Sequence, residues 1–291
     1  MESYKDMMTT DREISSTGKG KLLLLFIACS FLVFVVGGYN NFIPNDIILI
    51  SRIFVFIVFL IPTFILYKSK GELNSYWRIS FLFLIVSIGF LLTWFFGTWH
   101  LLIPGLSMST VEGAAIAKVA EVLPVILSIL VGIWLIEKDY TPIYLRGGDL
   151  KKSIKLGVLV SPAVLMLLIP LGFLNITASL DTIVSWMPWI FVFSFSNALY
   201  EELMIRGIFL RSYDSIFGQR TSLLLTSFVF AMLHIAIIGL ADLVTFTIYF
   251  GLSFFLGALW AYVIQKSDNI WGAVLTHVIG DILFVLTMFG V

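Results

Sequence analysis

Three short stretches of this sequence set ionisable side chains among apolar ones. The first reads Ser196-Asn197-Ala198-Leu199-Tyr200-Glu201-Glu202-Leu203-Met204-Ile205-Arg206. The second is Phe230-Ala231-Met232-Leu233-His234, and the third is His277-Val278-Ile279-Gly280-Asp281. The chain has three histidines, and two of them fall in these stretches. Carboxylates and imidazoles are the usual general acids and bases of hydrolytic chemistry. An ionisable group at mid-bilayer costs roughly 2.5–3.5 kcal/mol on insertion scales, so its presence there marks function by default.

Helical spacing sorts these groups. Neighbours on a helix point about 100° apart, so Glu201 and Glu202 are expected to serve different ends. Glu202 and Arg206 are four apart and stack as an ion pair, which lowers the cost of both charges in a polar clamp between helices. Glu201 is left without a local cation, which suits a general base or acid. Asp281 lies one turn from His277. Phe230 lies one turn before His234 and can pack against its ring.

The elements that must hold these groups follow from composition. Of 291 residues, 59% are hydrophobic and 12% charged, against roughly 25% charged in a soluble domain. Mean hydropathy is +1.03. These values exclude a soluble globular enzyme and a disordered chain. The 18 basic residues balance the 18 acidic ones, so no net field recruits nucleic acid. A lone Cys29 makes neither an intramolecular disulfide nor a cysteine-based zinc site. The remaining fold class is all-α, a polytopic transmembrane helical bundle of about eight or nine spans. Apolar runs fall at about 22–38, 53–67, 79–99, 119–136, 153–174, 187–212, 221–239, 242–264 and 270–290. A bilayer leaves no water for an open backbone, so these runs read as helices. Residues 1–21 read as a polar cytoplasmic tail with no cleavable signal. Residues 22–174 read as N-terminal transmembrane helices, and the spans that follow carry the ionisable stretches.

Orientation follows from lysine and arginine. All basic residues but Arg52 and Lys118 fall before the first span or in and around alternate loops, with Arg206, Arg211 and Arg220 around the sixth-to-seventh turn. With nine spans the N-terminus is cytoplasmic and Val291 lies outside. Glu201 lies 13 residues before Asp214, and His234 lies 13 residues after Thr221. Both are therefore about 20 Å along their helices, with His277 about 10 Å and Asp281 about 16 Å beyond Ile270. Antiparallel helices can bring all four to similar depth, lining a cavity expected to open to the cytoplasm.

At these residues the sequence resembles the CAAX protease and bacteriocin-processing (CPBP, or Abi) family of intramembrane endopeptidases. The family pattern stands here as Glu201-Glu202-x-x-x-Arg206, Phe230-x-x-x-His234 and His277-x-x-x-Asp281, in order. The resemblance covers about 183–290; residues 1–150 are matched only as apolar spans. It implies a peptidase working near the cytoplasmic membrane surface. Glu201 and His234 would activate a water, and His277 and Asp281 would help stabilise the oxyanion. Glu202, Arg206 and Phe230 would support the site. An ionised Asp cannot donate to an oxyanion, so Asp281 would either be protonated or act indirectly, orienting and charging His277 through a hydrogen bond. The implied partners are membrane lipid and a peptide or lipidated-peptide substrate, with no nucleic acid. Prenylated C-termini, bacteriocin leaders and other peptides all stay open as substrates, as does oligomeric state. The expected setting is an integral multi-pass protein, in the plasma membrane if the source is prokaryotic.

No cofactor is favoured. Glu201, His234, His277 and Asp281 are also four candidate zinc ligands, but no His-x-x-x-His pair lies on one helix. Two other functions compete: a non-catalytic scaffold or bacteriocin-immunity protein, and an ion or solute transporter using the intramembrane carboxylates. Elsewhere, Lys118 and Glu121 are expected to pair across one turn. Arg52 is expected to snorkel to the outer face. His100 sits in an interfacial aromatic cluster and is assigned no chemistry, and Gly147-Gly148 is a turn.

Overall fold

The computed structural model describes residues 16–172, 176–238 and 242–290. Helices dominate the described residues, and no strand occurs among them. Helix α1 is Ser16–Ser30 and runs on as a π-helical turn, Phe31–Val36. It is followed by α2 (Ile48–Lys68), α3 (Trp77–Phe96), α4 (Val111–Glu137) and α5 (Leu150–Gly172). Then come α6 (Leu180–Glu201), a second π turn (Glu202–Gly207), α7 (Ile208–Phe217), α8 (Gln219–Ile238), α9 (Leu243–Ser267) and α10 (Trp271–Phe289). Among the described residues nine helical segments are long and apolar enough to cross a membrane, with α6, the π turn and α7 forming a single one, Leu180–Phe217. The protein is an integral, multi-pass membrane protein.

Helix ends depart from the apolar runs where polar residues extend a span. Residues 16–21, expected in the polar tail, are helical, and Lys19 and Lys21 are exposed on their long stems. Residues 1–15 lie outside the described part. Helix α2 begins at Ile48, ahead of the apolar run at 53. Helix α4 begins at Val111 rather than 119, because the Thr110 hydroxyl caps it by accepting from the Gly113 amide at 3.1 Å. Ser179 caps α6 through the Thr182 amide at 3.2 Å, starting that helix at Leu180 rather than 187. Asp242 caps α9 through the amides of Val244 and Thr245, both at 2.9 Å.

Two groups of helices make the bundle. Helices α2, α3 and α4 pack in sequence, and α4 also packs on α6. Helices α5, α6, α8, α9 and α10 enclose the polar stretches: α10 lies against α5, α6 and α9, and α9 against α8. Small residues allow close approach. A Cβ on Gly89 of α3 would lie 2.8 Å from the Val125 Cα of α4. Between α5 and α10, a Cβ on Gly272 would collide with the Ser153 carbonyl. The Ser153 hydroxyl there donates to the Asn269 carbonyl at 3.0 Å and accepts from the Gly272 amide at 2.9 Å.

The two π-helical turns fall on the first span and directly after Glu201. The second matters most for position. A π turn carries one more residue per turn than an α turn and is frequent at functional sites. Here it occurs where five large or charged side chains, Glu202, Leu203, Met204, Ile205 and Arg206, are all buried.

Candidate active site

Four helices converge at the middle of the second group. The α6–π segment brings Glu201, Glu202 and Arg206; α8 brings Phe230 and His234; α9 brings Trp260; α10 brings His277 and Asp281. All seven residues that the sequence singled out meet here. Glu201, Glu202, Arg206, Phe230 and His277 are buried, while His234 and Asp281 are half-buried.

His277 is the hub. Its Nδ1–H donates to Glu202 Oε1 at 2.9 Å. Its Nε2 faces Glu201 Oε2 at 3.4 Å and Asp281 Oδ1 at 3.7 Å. The adjacent glutamates therefore do point apart, yet they converge on opposite edges of one imidazole. The sequence expectation of separate duties is refined: Glu202 anchors the ring from behind, and Glu201 meets its front. The Asp281 distance is too long for a hydrogen bond, so its influence on His277 is electrostatic. That corrects the expectation of a hydrogen bond between the two.

Glu202 is shared. Arg206 Nη1 donates to the same Oε1 at 3.0 Å, with both side chains fully buried. The remaining Arg206 donors, Nε and Nη2, have no hydrogen-bond partner. The guanidinium instead lies over the Phe230 ring, 4.2 Å from its centroid, with Trp260 at 5.6 Å. Cation–π contact supplies part of what the missing hydrogen bonds do not. Gly257 on α9 makes room for this group, since a Cβ there would stand 2.7 Å from Nη2.

His234 is fixed in orientation by its own helix. Its Nδ1–H donates to the Phe230 carbonyl at 3.0 Å. A carbonyl only accepts, so the neutral ring carries its proton on Nδ1 and presents a lone pair at Nε2. That Nε2 points at Glu201 Oε2 from 4.0 Å. The gap is too long for a direct hydrogen bond and accommodates a water about 2.8 Å from each atom. Glu201 Oε2 is itself buried without a hydrogen-bond partner.

Two residues joined the site without being assigned to it from the sequence. Asn197, one turn before Glu201, donates to Glu201 Oε1 at 3.3 Å and to Asp281 Oδ2 at 3.1 Å. Its signal was present, as an amide four residues before a carboxylate on an apolar helix. Trp260 lies flat against His277, with centroids 3.8 Å apart and 12° between the planes. Nothing local to Trp260 announces this, because the contact depends on how α9 meets α10. Phe230 completes the aromatic wall, edge-on to both Trp260 and His277 and 4.3 Å from His234.

Three helical motifs in fixed order, converging on one buried carboxylate, now stand together. Residues 183–283 match the family model Rce1-like, "Type II CAAX prenyl endopeptidase Rce1-like". This Rce1-like segment is about a third of the chain and holds every residue of the site. It agrees with the CAAX-protease resemblance carried by the motifs. No curated protein and no solved structure matches the chain.

A zinc reading was tested on the donor set. Glu201, His234, His277 and Asp281 approach one another at 3.4, 3.7 and 4.0 Å. Among the described residues no group of three or more His, Cys, Asp or Glu side chains is arranged to hold a metal ion.

Proposed function

We propose that the protein is an intramembrane endopeptidase in which Glu201 and His234 activate a water for attack on a peptide carbonyl. The observation that carries this reading is Glu201 Oε2, buried without a hydrogen-bond partner, facing the Nε2 of the half-buried His234 at 4.0 Å. Water placed between them donates to both. Glu201 takes its proton as the oxygen bonds to the scissile carbon. The carbonyl oxygen becomes an oxyanion beside His277 Nε2, whose imidazolium form donates from both nitrogens. Collapse breaks the C–N bond, and the proton held by Glu201 passes to the leaving amine. Glu202 and Arg206 hold His277 in place. Asp281 acts on His277 through its charge and is itself held by Asn197.

The Rce1-like match supports a peptidase and favours a peptide or lipidated-peptide substrate. Balanced charge and the intramembrane site argue against nucleic acid. The alternating basic loops favour a cytoplasmic N-terminus.

The test is hydrolysis by protein in lipid nanodiscs, offered lipidated and plain peptides, with products read by mass spectrometry. Glu201→Gln is expected to reduce cleavage by about 10²–10⁴-fold, the range of a lost general base. Equal product from both proteins would sink the assignment. We favour catalysis without a metal. Activity is therefore expected to survive dialysis against a strong chelator; stoichiometric zinc that restores a chelated enzyme would reverse that preference.

A further inference from the structure

Contacts between connecting segments mark the two ends of the bundle. At one end the α4–α5 connection is clasped to the α9–α10 turn. The Tyr144 carbonyl accepts from the Ile270 amide at 3.1 Å, and the Asp149 amide donates to the Ser267 carbonyl at 2.8 Å. Arg211 of α7 pairs with Asp268 of that turn at 2.6 Å. This end carries Lys138, Arg146, Lys151 and Lys152. At the other end the Asn41 amide donates to the Ala236 carbonyl at 3.0 Å, and the Thr177 amide to the Gly290 carbonyl at 2.8 Å.

Exposure rises from the clasped end to the other. Between the clasp and the site, Ile143, Leu203, Phe209, Ile264 and Ala273 are all buried, as are Glu202 and Arg206. One turn farther from the clasp, three helices open in step. On α8 the change is from buried Phe230 to His234, whose side chain is 29% exposed. On α10 it is from His277 at 4% to Asp281 at 14%. On α6, which runs the opposite way, it is from buried Glu201 back to half-buried Asn197.

Helix α4 continues this lining. Lys118 and Glu121 pair at 2.7 Å, as their spacing predicts, with side chains 18% and 27% exposed. Both face inward. Lys118 Nζ lies 5.4 Å from the Phe193 ring centroid of α6 and acts electrostatically on Asp281. Glu121 acts on Tyr39, Arg52 and Tyr200. Arg52 does not snorkel as the sequence suggested; it turns inward, Nη1 donating to the Phe90 carbonyl at 2.9 Å. Part-exposed charges that face the inside of a membrane bundle mark a water-filled cavity. Lys118 is seven residues from Val111 and nineteen from Glu137. It therefore lies about 10 Å from the start of α4 and about 28 Å from the clasped end.

We propose that the site opens through a polar funnel, lined by Lys118, Glu121, Asn197, His234 and Asp281, at the end of the bundle remote from the basic loops. With those loops in the cytoplasm, the mouth lies on the outer face. The opening to the cytoplasm expected from the sequence is thereby reversed. This inference rests on the peptidase reading and deepens it by naming where the substrate arrives. Unpaired backbone amides do not cross lipid unaided. The substrate is therefore a peptide segment already delivered to the outer face by a translocation step, and the enzyme acts after that step.

Cysteine accessibility tests this without turnover. Cys29 is the single cysteine of the chain, so Cys29→Ser gives a clean background. Into it go Lys118→Cys in the funnel, Phe42→Cys at the same end of the bundle and Arg146→Cys in the α4–α5 connection. A charged, membrane-impermeant thiol reagent is added to intact cells or to inside-out vesicles. Lys118→Cys and Phe42→Cys are expected to be blocked in intact cells, and Arg146→Cys only in the vesicles. Glu121→Cys, on the same wall, secures the result should Lys118→Cys fail to fold. Blocking of the funnel positions from the Arg146 side, or from neither side, would overturn the funnel. Blocking of Phe42→Cys in the vesicles alone would overturn the outer face. A second arm offers each preparation a peptide too polar to cross the membrane. Cleavage by intact cells alone is expected, lost in Glu201→Gln, and cleavage by vesicles alone would overturn the proposal. No cleavage on either side, beside the expected labelling, counts against the peptidase reading and leaves the funnel standing.

Discussion

Glu202 holds His277 by its Nδ1 edge at 2.9 Å, and the same oxygen takes the Arg206 guanidinium at 3.0 Å. One fully buried atom therefore couples the stability of the α6–π segment to the aim of a site histidine. Removing one partner of a buried pair typically costs about 3–5 kcal/mol, whereas replacing both by apolar residues is often neutral. Glu202→Leu is thus expected to lower the thermal midpoint sharply, and Glu202→Leu with Arg206→Met to recover most of the loss. Activity is expected to stay low in both, since neither variant holds the His277 ring. Thermal unfolding in detergent and peptide cleavage, measured side by side, separate the two effects. A double variant that regains activity along with stability would show that Glu202 does nothing for His277.

Asn197 ties two carboxylates that would otherwise repel each other. Its amide donates to Glu201 and Asp281 from a single nitrogen. Asn197→Ala removes both bonds but no charge, and supporting contacts of this kind are commonly worth about 10–100-fold in activity. The expected result is that loss in kcat with little change in KM. Asn197→Asp adds a third negative charge to the cluster and is expected to be worse. A cleavage assay across the three proteins decides, and unchanged kcat in Asn197→Ala would remove Asn197 from the site.

The spans and the motifs were legible in the sequence because each is a local pattern. Apolar length sets a membrane helix, and a four-residue spacing puts Glu202 over Arg206 and Phe230 under His234. Helix starts were less legible where a polar cap, such as Thr110 or Ser179, lies ahead of the apolar run. Trp260 was invisible for a different reason, because its partner His277 lies on another helix and no spacing in one strand of sequence encodes that contact. Arg52 was misread because a lone arginine near a span end usually reaches water. Here the Phe90 carbonyl and the Tyr39 ring give it somewhere to go inside the bundle.

Trp260 should matter to chemistry more than its lack of ionisable groups suggests. Its ring covers one face of His277 at 3.8 Å, while Phe230 closes a second side. An aromatic contact of this kind contributes about 0.5–1.5 kcal/mol beyond area burial. Trp260→Leu also opens space beside the ring, and loss of an aromatic from a core costs about 3–5 kcal/mol in the case of alanine. Leucine refills part of that volume. A folded but weakened protein with cleavage reduced about tenfold or more is expected, and Trp260→Phe is expected to restore most of it. Rescue by phenylalanine is the informative result, since a purely steric plug would be served as well by leucine.

Gly257 tests whether the aromatic and charged layers are packed as tightly as the distances imply. A Cβ there would stand 2.7 Å from Arg206 Nη2, 3.2 Å from the Ser227 Cα and 3.4 Å from Phe230 Cδ1. The arginine end is gripped by Glu202 and Phe230, and the Ser227 backbone belongs to α8, so neither yields freely. Overpacking of this kind costs about 1–3 kcal/mol, and Gly257→Ala is expected to lose both stability and activity. Gly251 lies on the same helix with nothing within 4 Å of its Cβ position. Gly251→Ala is therefore expected to gain about 0.5–1 kcal/mol from helix propensity alone. Opposite shifts in thermal midpoint for these two alanines, six residues apart on α9, would place the strain at Arg206. Shifts of the same sign would mean that α9 and α8 are not held as closely as described.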